Sequence, residues 1–363
     1  MLTSLKLRHF RNLAPFERRM DGGRHLLFGG NGAGKTSVLE AIYLLATTKS
    51  FRSNRLSECI QRGRQGFELA AEVDTGVRQS LALEVVAAGD KRRLLNGKAA
   101  PLARHLAALP VVSWTAADAD LFTGPPKDRR RFLDRGVIGL QATSVAVMSR
   151  YREALRQKRR LLAAGGRQRS DLLAPWNDLL AAAGAEIVRR RQRFVARLGA
   201  ELATDLERIG LSLPAIALDY RPSPPDGADE NALRARLDAV EGSEWDRRMS
   251  LLGPHRDDLV LRWDGYPLRG SVSAGERKLL GLLIVAAQGR VMTREGPEPV
   301  YLLDDLDAEL APSTLAAFWT LLAPVGQLFA SSNRPEVWTS LELDSTLRVE
   351  AGRVAPGSLA ERT

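Results

Sequence analysis

The chain has 363 residues, 44% hydrophobic and 26% charged, enough for one large or two moderate globular domains. No apolar run approaches the roughly 20 residues of a membrane span. The start MLTSLKLRHF lacks the apolar core of a secretion signal, and Cys59 is the single cysteine. A spanning helix, a disulfide scaffold and a cysteine-held metal site are therefore excluded, and a cytoplasmic, reducing location is expected. The net charge of +10 is uneven: between Arg150 and Ala200 there are 13 Lys and Arg against 4 Asp and Glu. Such a block suits either a partner surface for polyanions or a solvated helical face.

In chain order, LTSLKLRHF, HLLFG, FELAAEVD and SLALEVVA predict strands, and Asn96-Gly97 predicts a hairpin turn. Inside this β-rich third, the strand HLLFG runs into GGNGAGKT, residues Gly29 to Thr36, and then into a helix whose Val38, Leu39, Ile42, Leu45 and Ala46 repeat at helical spacing. The pattern G-x-x-x-x-G-K-[ST] is a P-loop. The backbone of Gly29, Gly30, Asn31, Gly32, Ala33 and Gly34 would curl N–H groups around phosphate, with the positive end of the helix dipole adding to them. Lys35 would reach the β- and γ-phosphates, and Thr36 would give its hydroxyl to Mg²⁺.

After LPVVSW, from about Asp118 to Ile209, the periodicity turns helical and rich in Leu, Ala and Arg, with a break at Gly165-Gly166. A strand and Pro-rich loop follow in LSLPAIALDYRPSPPDGADE. A helix is predicted from about Glu230 to Leu251, and a hairpin in LVLRWDGYPL turning at Asp264-Gly265. A helix near Gly275 to Thr293, the strand PVYLL, a helix after Pro312 and the strand GQLFASS complete an α/β pattern. The expected organisation is a nucleotide domain split by an insertion: residues 1–115 and 251–363 forming the ATPase head, and 116–250 an Arg-rich helical lobe.

VYLLDDLDAEL has the form of a Walker B element, an apolar strand ending in paired carboxylates. Asp304 would hold Mg²⁺ directly or through water, and Asp305 would polarise the attacking water. Ser273 followed by Glu276 makes a capping box at the start of the next-to-last long helix. The same stretch resembles the signature motif of ABC-type ATPases, in which the positions of Ser273 and Gly275 face the γ-phosphate bound to a second subunit; a capped helix start is itself an anion site.

Walker A, signature and Walker B in this order resemble the ATPase heads of the SMC and Rad50 type. Further strings narrow the resemblance to the RecF family of bacterial recombination mediators: FRNL at 10–13, SFRSNR at 50–55, GPPKDRRRFLD at 124–134 and GPHRDDL at 253–259. The resemblance implies an α/β head with an inserted helical lobe. It further implies an ATP-dependent homodimer that binds gapped single- and double-stranded DNA, hydrolyses ATP slowly, and works with RecR and RecO to help RecA load. The Arg-dense lobe, including Arg189, Arg190 and Arg193, is the expected DNA surface. Two alanines, Ala308 and Ala311, stand where the family's D-loop has serine and aspartate, which bears on communication between paired sites. Asn333 falls where ABC-type ATPases keep a γ-phosphate sensor. His255 suits packing as well as function, and Arg256, Asp257 and Asp258 suit a local ion-pair network. A plain P-loop kinase, and a DNA-binding scaffold with an inactive ATP site, remain as alternatives.

Overall fold

The computed structural model describes residues 1–86, 90–165, 171–268 and 272–359; Gly166 of the expected break lies outside the described residues. The chain folds into two compact units, Met1–Asp120 with Glu201–Leu213 and Val272–Thr363, and Leu121–Ala200 with Pro214–Ser271.

The first unit opens with β1 (Leu2–Arg8), β2 (Phe16–Arg19), β3 (Gly23–Phe28) and α1 (Lys35–Thr47). There follow β4 (Gly66–Asp74), β5 (Arg78–Val86), β6 (Lys91–Leu95), β7 (Lys98–Ala99), α2 (Leu102–Ala108) and β8 (Val111–Trp114). Six of these strands form an antiparallel sheet in the order β2-β1-β4-β5-β6-β7. Period-two patterning buries one face: Phe67, Leu69, Ala71 and Val73 of β4 are inside, as are Leu81, Leu83 and Val85 of β5.

The second unit carries α3 (Pro126–Leu140), α4 (Ser144–Ala164), most of α5 (Ala174–Arg208), β9 (Ile216–Arg221), α6 (Glu230–Ala239), α7 (Glu241–Arg247), β10 (Asp258–Trp263) and β11 (Tyr266–Pro267). Its sheet is β11-β10-β9. The single helix expected from Glu230 to Leu251 is two, parted at Val240, and the second ends at Arg248 in the left-handed region (φ 52°). The compact units also part at other places than 115 and 250. β10 pairs with β9 from Asp258↔Arg221 to Trp263↔Ile216, which keeps LVLRW in the second unit. Asp205 and Glu201 near the end of α5 pair with Arg290 (2.7 Å) and Arg294 (2.6 Å), which groups that end with the first unit.

The chain returns to the first unit through α8 (Ala274–Glu295), β12 (Val300–Leu303), α9 (Pro312–Leu321), β13 (Gln327–Ser332), β14 (Ser345–Glu350) and β15 (Arg353–Pro356). The second six-stranded sheet runs β15-β14-β3-β13-β12-β8. Every pairing from β14 to β8 is parallel. The C-terminal ends of β3, β13 and β12 therefore share one edge, where open α/β sheets place ligands. The core joins both sheets through α1: Val38, Leu39, Ile42 and Leu45 pack in one cluster with Leu5, Leu69 and Leu83 and with Leu302 and Phe329. Nearly every residue of α1 is buried, the polar Lys35, Ser37 and Glu40 included.

Candidate functional site

The loop from Gly29 to Gly34 leaves β3 and enters α1 at Lys35. Gly29 has φ 151°, and a Cβ there would lie 2.1 Å from the Val349 carbonyl oxygen, so only glycine fits where the loop passes β14. Lys35 is buried, and its ammonium donates to the carbonyls of Gly29 (2.7 Å) and Gly30 (3.0 Å), which curls the loop around its own cation. Asn12 of the FRNL string braces the turn: its Nδ2 donates to the Gly32 carbonyl at 2.9 Å, and its Oδ1 accepts from Ser37 Oγ at 2.9 Å.

Asp304 meets Thr36 directly: the threonine hydroxyl donates to Asp304 Oδ1 at 2.9 Å. Ser331, at the end of β13, donates to the same oxygen at 2.6 Å and accepts from the Asp305 N–H at 2.9 Å, so one hydroxyl joins both Walker B aspartates. Burial pushes the Asp304 carboxyl up from its ordinary value, against the lowering pull of the Ser331 and Thr36 hydrogen bonds. A hydroxyl and a buried carboxylate at hydrogen-bond distance form a hard oxygen pair that a divalent cation would satisfy, so these residues fit Mg²⁺. No group of three or more His, Cys, Asp or Glu that could hold a metal occurs among the described residues. Asp305 is exposed on the cleft, and Asn333 reaches the P-loop, its Nδ2 donating to Asn31 Oδ1 at 3.2 Å.

The cleft over these groups measures about 620 Å³, and Asn31, Lys35, Thr36, Asp305, Arg52 and Arg62 are among its walls. Beneath it lies Glu40, fully buried on α1. Arg11 holds it with two bonds (2.9 and 2.6 Å), Ser50 Oγ donates to it at 2.5 Å, and Arg52 stands 3.6 Å away. FRNL and SFRSNR, separate in sequence, thus close over one carboxylate. The roles of Asn12, Glu40 and Ser331 were not legible in the sequence. The available signal for Glu40 was a lone acid inside the apolar run VLEAIYLLA.

Ser273 and Gly275 open α8 in the same unit. The capping box is present: Ser273 Oγ donates to Glu276 Oε2 at 2.6 Å, the Ser273 N–H donates to it at 2.9 Å, and the Glu276 N–H donates to Ser273 Oγ at 3.3 Å. The cap fixes the helix start and leaves Ser273 exposed.

In the second unit, GPHRDDL and GPPKDRRRFLD interlock. Asp258 binds Arg129 with two bonds (2.7 and 3.0 Å), and Arg191 bridges Asp257 and Asp134 at 2.7 Å each. Asp257 also accepts from Tyr220 and from the Ser223 N–H (2.8 Å). Arg256 hydrogen-bonds to the Ser250 carbonyl. Of the expected DNA-facing arginines, Arg193 is exposed. Arg189 is exposed but donates to the Ala228 carbonyl (2.7 Å), and Arg190 is half-buried on Ser144 and Glu186.

A family model described as RecF/RecN/SMC N terminal domain matches residues 1–353. The "DNA replication and repair protein RecF" of Salinibacter ruber is 32% identical over 351 residues, spanning 92% of this chain and 85% of that protein. The protein of that name from Frankia alni is 33% identical over 350 residues, spanning 91% and 93%. A solved structure described as "Structure of the recombination mediator protein RecF-ATPrS in RecFOR pathway" superposes with a TM-score of 0.87 at 24% identity, covering 99% of this chain and 98% of that one. The "SmcHead bound to the C-winged helix domain of ScpA" follows at a TM-score of 0.59 and 16% identity, covering 99% and 98%. These likenesses give the fold, an α/β SMC-type ATPase head carrying a second, mainly helical lobe. With its P-loop, its paired Walker B aspartates and relatives matched along almost its full length, the chain belongs to the RecF family.

Proposed function

We propose that this protein binds ATP with Mg²⁺ in the cleft of its first unit, pairs with a second copy through the bound nucleotide, and acts as a slow ATP-switched clamp on DNA in replication and repair. The observation that carries the reading is the convergence of Lys35, Thr36, Asp304 and Asp305 on one sheet edge, in the unit that also displays a capped signature helix. The name carried by its relatives, a DNA replication and repair protein, supports the role. The RecFOR pathway named for the solved RecF structure supports RecO and RecR as partners; that together they aid the loading of RecA is what the family resemblance implies.

In this reading the Lys35 ammonium exchanges the Gly29 and Gly30 carbonyls for the β- and γ-phosphates, which the P-loop N–H groups cradle. Thr36 and Asp304 would hold Mg²⁺, which would supply positive charge against the negative charge developing on the phosphates. Asp305 orients and polarises the attacking water, and Ser273 and Gly275 meet the γ-phosphate of the other subunit. DNA phosphates fall to the second unit's exposed arginines, with Arg189 and Arg193 among them.

Ser273→Arg tests the trans arrangement. The bulky cation blocks the partner's nucleotide while the mutant's own P-loop stays intact, so ATP binding persists and ATP-dependent dimerisation and turnover are lost. Sedimentation showing a wild-type ATP-dependent dimer would reduce the motif to a helix cap.

A further inference from the structure

Asp305 has φ 47°, in the left-handed region that few non-glycine residues adopt, aspartate being among the more tolerant. Its peptide is gripped on both sides. The N–H donates to Ser331 Oγ at 2.9 Å, and the carbonyl accepts from the Lys278 ammonium at 2.5 Å. The same ammonium donates to the Ala308 carbonyl at 2.6 Å. Lys278 lies early in α8, just past Ser273 and Gly275, and its side chain is buried. Burial pulls its pKa below the ordinary lysine value, while Glu309, Asp307, Asp305 and Asp304 pull it up.

Two further contacts complete the junction. A Cβ on Gly275 would lie 2.8 Å from the Glu309 carbonyl oxygen, so the first turn of α8 abuts the loop backbone closely. On the side of β13, Arg334 Nε donates to Asp307 Oδ2 at 2.9 Å, and the guanidinium also holds the Asp307 carbonyl. The loop that follows β12 is thus held by way of carbonyls and Asp307. These contacts use neither the Ala308 nor the Ala311 side chain, the two positions that depart from the family's D-loop pattern.

We propose that Lys278 is a positioning residue for ATP hydrolysis: it fixes Asp305 and the following loop, and ties them to the helix start that presents Ser273 and Gly275. An ammonium serves this role because it is a compact charge with three donors, able to hold two carbonyls that diverge. Methionine of similar length would leave both carbonyls without their donor and free Asp305 to relax from its left-handed backbone. The proposal rests on the reading that Asp305 polarises the attacking water.

The test compares full-length wild type, Lys278→Met, Lys278→Arg, Asp305→Asn and the double variant Lys278→Met/Asp305→Asn. Steady-state hydrolysis is measured with ATP, Mg²⁺ and gapped duplex DNA, nucleotide affinity with a fluorescent ATP analogue, and folding by thermal melts. Lys278→Met lowers kcat about 10²-fold, the scale of a 1 Å misplacement, and leaves nucleotide affinity within about twofold. Lys278→Arg recovers most of the rate. Adding Lys278→Met to Asp305→Asn changes the rate by less than about twofold, because both act on one group. Wild-type turnover in Lys278→Met, or a double variant slowed by the product of the two separate losses, overturns the proposal and leaves Lys278 as a buried counter-charge. Where Lys278→Met does not fold, Lys278→Gln, which keeps a neutral donor, enters the same cycle with the same criteria. Wild-type turnover in Asp305→Asn alone defeats the underlying reading independently of any Lys278 variant, and the proposal falls with it.

Discussion

Single residues in this chain do their work as buried charges with assigned partners. Glu40 and Asp257 are fully buried, and stripping the arginine from such a carboxylate costs about 3–5 kcal/mol because the remaining charge has no water to return to. His255 is held differently. Its Nδ1 and the Tyr151 hydroxyl are 2.7 Å apart. Burial first, then the nearby Arg159, drive its pKa from the ordinary histidine value down to about 3. The folded state therefore keeps the ring neutral where the unfolded chain takes a proton. This contribution is complete above about pH 6.5 and is lost progressively as pH falls toward 3, since the unfolded state binds more protons throughout that window. Urea midpoints measured at pH 7 and pH 5 should fall on acidification, and fall less in His255→Gln, which cannot titrate. An equal fall in both proteins would remove His255 as a source of acid sensitivity.

At the scale of elements, the helices of the second unit carry the charge that the composition announced. Arg152, Arg156, Arg159 and Arg160 line one face of α4 around a groove of about 480 Å³, Arg156 pairing with Glu153. With Arg189 and Arg193 of α5 these are the side chains proposed to meet DNA phosphates. If 6 to 10 such contacts form, affinity falls by roughly 10³ to 10⁵ between 50 and 200 mM salt. Reversal to glutamate of Arg152, Arg159 and Arg160, or of Arg189 and Arg193, should weaken binding equally across sequences and lower the salt slope by about one per contact removed. Equilibrium titrations at several salt concentrations measure both, and an unchanged slope would assign these arginines to a solvated face. Arg190, engaged by Glu186 and Ser144, is better placed to hold α5 than to meet DNA.

The elements that sequence revealed are those whose cause is local. GGNGAGKT needs only its own glycines to be read as a phosphate loop, and Asn96-Gly97 and Asp264-Gly265 announce their turns, with φ values from 49° to 80° across the four residues. The β14–β15 hairpin carries no such signal: its strands are short and polar on alternate positions, and it turns at Ala351-Gly352. α2, seven residues long, carries too few turns for a periodic signal. The site's supports were hidden for another reason. Nothing in the local pattern says that Arg11, Ser50 and Arg52 will gather on Glu40, or that Ser331 will join Asp304 to Asp305, because those meetings are made by sheet order.

For the whole molecule, the proposed cycle has nucleotide held between two copies close a clamp on DNA, and hydrolysis open it. Asp305→Asn keeps the shape of the carboxylate and removes its charge, so hydrolysis slows while Lys35, Thr36 and Asp304 still hold ATP and Mg²⁺. Sedimentation of wild type and Asp305→Asn with ATP, Mg²⁺ and gapped duplex DNA, followed over time after dilution, reads the consequence directly. Both proteins should form an ATP-dependent dimer on DNA, longer-lived in the variant. Monomers of Asp305→Asn at saturating ATP and DNA, with nucleotide still bound, would contradict it.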